Sequence, residues 1–218
     1  MPTLIDRSLP WLIYPGAVAS SVLVFLSLLG AGLGSGPSAY LPVSMVAASV
    51  TLLELYHPYR LAWRPAASEV RADLAFMVTV QLLWPQLVTL LLLLAFVEPL
   101  QELNPSLAGI WPRDWPLGGQ VVMLILASDF LRYWLHRAAH TFPLLWRLHA
   151  VHHAPERLYW LNVGRFHPVE KALQLLVETV PFALLGASET VIAFHFVLYK
   201  IHHAPPRNKK PPVHPQST

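Results

Sequence analysis

Five of the chain's eleven histidines fall within eighteen residues. His136 and His140 form the string HRAAH, and His149, His152 and His153 form HAVHH. Neutral imidazole is the commonest protein ligand for metal ions. Residues four apart on a helix stand one above the other on the same face, so His136 and His140 are paired. His149 pairs with His152 and His153 in the same way, at spacings of three and four. Two short helices with these faces opposed could offer up to five imidazoles to one or two ions. Both strings follow an apolar run ending in SDFLRYWL, which suggests a metal held at a membrane surface.

Other metal and nucleophile motifs fit less well. A protease of the H-E-x-x-H type needs glutamate after its first histidine, and Arg137 stands there. A membrane haem would need histidines in mid-span, and none of the first four apolar runs has one. G-x-S-x-G, the serine nucleophile turn, is absent. With no cysteine in the chain, a metal must use imidazole, carboxylate or water. That set suits iron, zinc, copper or manganese, and ligand type alone leaves zinc open beside iron.

The elements that position these groups are membrane helices. Hydrophobic residues make up 55% of the 218, charged residues only 12%, and mean hydropathy is +0.47; soluble domains carry roughly 25% charged residues. Trp11 to Gly34, Ala39 to Tyr56, Leu74 to Val97 and Val121 to Leu135 read as about four spans, set against roughly 20 residues for a bilayer core. Pro85 is expected to kink the third or mark a re-entrant turn. Ala172 to Gly186 and Thr190 to Ile201 read as a short helical hairpin dipping into the membrane. The expected fold is therefore all-α and polytopic, with a histidine-rich cap. Residues 1–204 form the membrane domain, and 205–218 a disordered tail rich in proline and lysine. The first run reads as a retained anchor, because Asp6 and Arg7 stand where a signal peptide would be basic.

Basic residues gather around the histidines (Arg132, Arg137, Arg147, Arg157, Arg165, Lys171), whereas Glu98 to Gly118 carries Glu98, Glu102 and Asp114 against Arg113. The positive-inside rule then places the histidines and the N-terminus in the cytoplasm. The net charge of +3 includes no basic stretch with interleaved aromatics, so nucleic acid is not an expected partner. Trp and Tyr side chains near the clusters read as interfacial anchors, and His57 as an interface residue.

DFLRYWLHRAAH, from Asp129 to His140, and WRLHAVHH, from Trp146 to His153, closely resemble the fatty acid hydroxylase/sterol desaturase superfamily of membrane oxygenases. NVGRFHPVE, from Asn162 to Glu170, resembles that family's next signature. Glu54 with Pro58, then Arg71 and Asp73, resemble its bacterial members. The resemblance covers roughly residues 50 to 205. It implies an integral protein of a bacterial inner membrane. It also implies a di-iron centre, O₂ and an external electron donor, used to hydroxylate or desaturate a fatty acid or sterol. An unactivated C–H bond demands such a cofactor, since no side chain can attack it. A second copy of the chain is a further expected partner.

His136, His140, His149, His152 and His153 are the expected metal ligands, with His167 of RFHPVE and His203 added. Asp129 precedes His136 by two helical turns and is placed to bond a ligand ring from behind. Arg165 and Glu170 read as a structural ion pair. Family members continue to a last H-x-x-H-H box. Here FVLYKIHHAPP, with His202 and His203, gives way to a Pro-rich tail. Two other readings therefore stand beside the oxygenase: a truncated, inactive family member, and a membrane metal-binding protein without redox chemistry.

Overall fold

The computed structural model describes residues 4–56, 64–155 and 159–203; the side chains of residues 4–11 and of His203 lie outside the described set. So do His57 and residues 205–218, expected above to be an interface residue and a tail. All the regular structure among the described residues is helical. Helix α1 spans Leu4–Gly30 and α2 Ser35–Tyr56. The third, α3, runs continuously over Ala67–Leu103. Then come α4 (Leu117–Thr141), α5 (Pro143–His153), α6 (Pro168–Glu178), α7 (Val180–Leu185) and α8 (Glu189–His203).

Among the described residues three helices are long and apolar enough to cross a membrane: Leu12–Gly30 of α1, α2 and α3. Their exposed large hydrophobic residues are mostly leucine, for example Leu23, Leu52, Leu90 and Leu94, as suits surfaces solvated by hydrocarbon. Where α1, α2 and α8 meet, small residues lie buried, Ser21, Ser38 and Ala39, beside Phe25, Val197 and Ile201. Small side chains let apolar helices approach closely, and dispersion then holds them. The fourth expected run lies within α4, whose later half carries Asp129, Arg132, His136, Arg137 and His140. This helix has the length of a span but not its uniform apolarity.

In α3, Pro85 neither breaks the helix nor turns it back. A π-helical segment, Met77–Leu83, leads into it, and Pro85 falls in the first turn of the α-segment Trp84–Leu92. There its missing N–H leaves little unsatisfied.

The hairpin reaches further than its apolar residues suggest. Its first arm begins at Pro168, and Pro168 to Leu185 is roughly 27 Å of helix. The extra turn is polar but buried, with Glu170 and Lys171 turned inward, and Gln174 a turn further on is buried as well. The tip meets the loop that precedes α4, where the Trp111 N–H donates to Leu185 O at 2.9 Å and Arg113 Nε to Gly186 O at 3.0 Å. Trp111, Phe182, Val121, Leu124 and Val191 form the core there. The α6–α8 hairpin therefore runs alongside α4, from the histidine end to the other.

Gly186 makes that tip feasible. Its φ is +97°, and a Cβ there would sit 2.1 Å from Ala108 O. Gly32 has a φ of +86° with nothing within 4 Å. Left-handed backbone costs a substituted residue about 1–2 kcal/mol, and only Gly186→Ala adds a backbone clash. Gly186→Ala should lower the melting temperature in detergent clearly more than Gly32→Ala; equal shifts would show that the tip contact is not held in solution.

Candidate metal centre

The turn between α4 and α5 sets the site. Phe142 precedes Pro143, and a residue before proline avoids helical backbone. Phe142 accordingly lies extended (φ −96°, ψ 124°), and Pro143 opens α5 at its first turn. One residue thus separates two helices, and their histidine faces close on each other.

The ligand atoms of His136, His140 and His149 lie within 4.8 Å of one another. His136 and His140 ring centres are 4.6 Å apart, and each is under 5 Å from His149. His153 joins on the far side, 5.0 Å from His140, with its Nε2 3.1 Å from His149 Nε2. Two nitrogens each about 2.1 Å from one ion and near a right angle are separated by about 3 Å. The 3.1 Å spacing fits that edge. Trp146 packs against His140 and His153.

His149 is 1% exposed, and its Nδ1 is 2.6 Å from Glu170 Oε1. A carboxylate there takes the Nδ1 proton and leaves Nε2 facing the other rings, as ligation requires. Burial, then the neighbouring His140, holds the His149 ring below the ordinary imidazole range. It therefore stays neutral, the form that binds metal. Burial raises Glu170, opposed by Gln174 and then by Arg132 and Lys171. Its Oε2 is buried with no hydrogen-bond partner. An orphaned carboxylate oxygen is costly, and a nearby cation would offset that cost. The donor set and this oxygen both fit a metal.

The other expected residues divide. His152 donates from Nδ1 to Arg165 O at 3.3 Å, and its ring stacks on Phe166 at 4.4 Å. His167 lies apart from the three grouped rings and caps α6, its Nδ1 accepting the Val169 N–H at 3.2 Å. His203 ends α8, with its side chain outside the described residues. Asp129 lines the same cavity of about 330 Å³ as His136, His149, His152 and Glu170. The carboxylate bonded to a grouped ring is Glu170, which its spacing from the histidines does not reveal. The expected Arg165–Glu170 ion pair is not formed: Arg165 bonds Asp73, and Glu170 bonds His149. His195, deep in α8, bonds Ser128 of α4 at 2.9 Å in the core, away from the grouped rings.

Residues 121–215 match the family model for fatty acid hydroxylase. The stretch includes both histidine strings, Glu170 and the hairpin. A relative, the ornithine lipid hydroxylase OlsE of Rhizobium tropici, is 42% identical over 77 residues, which is 35% of this chain and 23% of the relative. The match thus spans less than a quarter of that protein's length. No solved structure matches the chain significantly. Paired histidine strings close on one centre at the end of membrane helices, and the residues that carry them, 121–215, are those that resemble the fatty acid hydroxylase superfamily.

Proposed function

We propose that this protein hydroxylates a membrane lipid at an iron centre held by His136, His140 and His149, with His152 and His153 completing the ligand set. The observation that carries the reading is the convergence of the grouped rings beside the orphaned Glu170 oxygen. Iron bound there supplies O₂ activation, with electrons from an external donor. The chain's own residues orient and exclude. Glu170 and the Arg165 carbonyl fix protons on Nδ1 of His149 and His152, so that each ring would bind a metal through Nε2. Leu145, Leu148, Leu173 and Phe166 give the cavity apolar walls, and Arg132 and Gln174 give it polar ones. A lipid with a polar head and an acyl chain suits both.

The named relative suggests an ornithine lipid as the first substrate to try. The ligand count is read as an iron pair, with His167, His203 or a second copy of the chain supplying further donors. Asp129 is read as an acid group at the cavity wall. The histidine end faces the cytoplasm in this proposal, which matches the basic residues around it. Tyr14 of α1 bonds His202 of α8 at 2.8 Å, and Glu54 of α2 accepts the Trp160 N–H at 3.0 Å, so these helix ends gather on one side.

Elemental analysis of anaerobically purified chain, with lipid mass spectrometry of membranes that contain it, tests the reading. Bound iron and an ornithine lipid heavier by one oxygen are expected. A chain that binds no transition metal would end the proposal. Iron without lipid oxidation would leave a metal-binding protein.

A further inference from the structure

We infer that Asp73 is a positioning residue for the His152 ring, acting through Arg165; this rests on the reading of His152 as part of the metal centre. Asp73 lies in α3 and is 0% exposed. Burying a carboxylate among apolar helices is expensive unless donors surround it. Two do: Arg165 Nε and the Tyr159 hydroxyl both bond it. The residue whose side chain Asp73 grips is the one whose main chain meets the site. Arg165 O accepts from His152 Nδ1 at 3.3 Å. A carbonyl can only accept, so the proton sits on Nδ1, and a metal would bind this ring through Nε2. Phe166, the next residue, stacks on the same ring at 12° between planes. Asp73 thus fixes Arg165 by its side chain, and the backbone of residues 165 and 166 fixes the ring's proton and its plane.

Other contacts hold the same loop. Gln81 Nε2 donates to Gly164 O at 3.2 Å, and Trp84 Nε1 to Pro168 O at 2.8 Å. Glu54 holds Trp160. These grip residues on either side of 165 and 166, whereas Asp73 grips Arg165 itself. A purely structural Asp73 would staple the loop to α3 and leave the ligand ring's chemistry unchanged. A positioning Asp73 would alter the metal's ligand field in a chain that is still folded.

The full chain in detergent, loaded with Co²⁺, separates the two. Cobalt's visible bands report ligand geometry, and competition titration gives its affinity. Asp73→Asn keeps the shape but loses the charge. Arg165→Lys keeps the charge but loses the planar donor. Both should keep wild-type helicity and elution, bind cobalt about 10–100-fold more weakly and show altered bands. Tyr159→Phe removes the other bond to Asp73, and should lower the melting temperature while leaving the bands unchanged. Wild-type bands and affinity in folded Asp73→Asn or Arg165→Lys would overturn the inference; should Asp73→Asn not fold, Arg165→Lys decides alone. A wild-type chain that binds no cobalt sinks the metal reading itself, which is a distinct failure.

Discussion

His149→Ala should yield a chain that still inserts and stays helical but holds no metal after a single desalting step. His149 is the ring that meets all the others. Its centre is under 5 Å from those of His136, His140 and His153, and 5.7 Å from that of His152. Removing an outer ring leaves a weakened donor set; removing His149 separates the α4 pair from the rest of α5. The same change takes the imidazole partner from Glu170 Oε1, beside an Oε2 that has no partner already. Leaving a buried hydrogen-bonding group unsatisfied by deleting its partner costs about 1–3 kcal/mol. Metal loss and a lower melting temperature should therefore appear together. His167→Ala serves as the comparison, because it removes a helix cap at a typical cost of about 1 kcal/mol. It should keep more of the metal than His149→Ala. Equal retention by the two variants would show that the centre lies elsewhere.

Glu170→Gln should weaken metal binding by about 10–100-fold, the usual effect of losing the partner behind a ligand histidine. The amide oxygen can still accept the Nδ1 proton, so the ring's orientation survives in part. The negative charge does not survive, and with it goes the compensation for a cation in a buried site. The apo-protein should respond in the opposite sense. Glu170 is pushed up by burial and has an unpartnered Oε2, so a neutral amide removes a group that resists ionisation. Glu170→Gln should therefore melt at or above the wild-type temperature without metal and below it with metal. Titration calorimetry and thermal melts with and without Co²⁺ would read both. A variant with wild-type affinity would show that Glu170 packs against the site without tuning it.

The opposite signs distinguish a functional carboxylate from a structural one. A carboxylate kept for stability would hurt both states on removal. One kept for the metal strains the empty site, which agrees with the tendency of perturbed ionisable groups to gather at functional sites.

The histidine pairs were legible because helical spacing is a local property. HRAAH and HAVHH each place rings on one face whatever the rest of the chain does. The turn between α4 and α5 was not singled out in the sequence, although Pro143 constrains Phe142 by sterics alone. The hairpin was read as shorter than it is. Its first turn carries Glu170 and Lys171, polar residues that a search for apolar runs excludes, yet they are buried against neighbours. Asp129 was singled out because it shares a face with His136. Glu170 and Arg165 were paired because they are near in sequence.

By itself, then, the sequence determined that the chain is helical and membrane-embedded, and that imidazoles gather on two helix faces, two on one and three on the other, at the end of a long apolar run. These follow from hydropathy and from the 3.6-residue period, which operate over one or two turns. Only the tertiary structure decided which carboxylate serves which partner. Glu170 reaches His149 across 21 positions, and Asp73 reaches Arg165 across 92. A buried charge takes the donor that helix packing delivers to it, and no local period encodes that meeting.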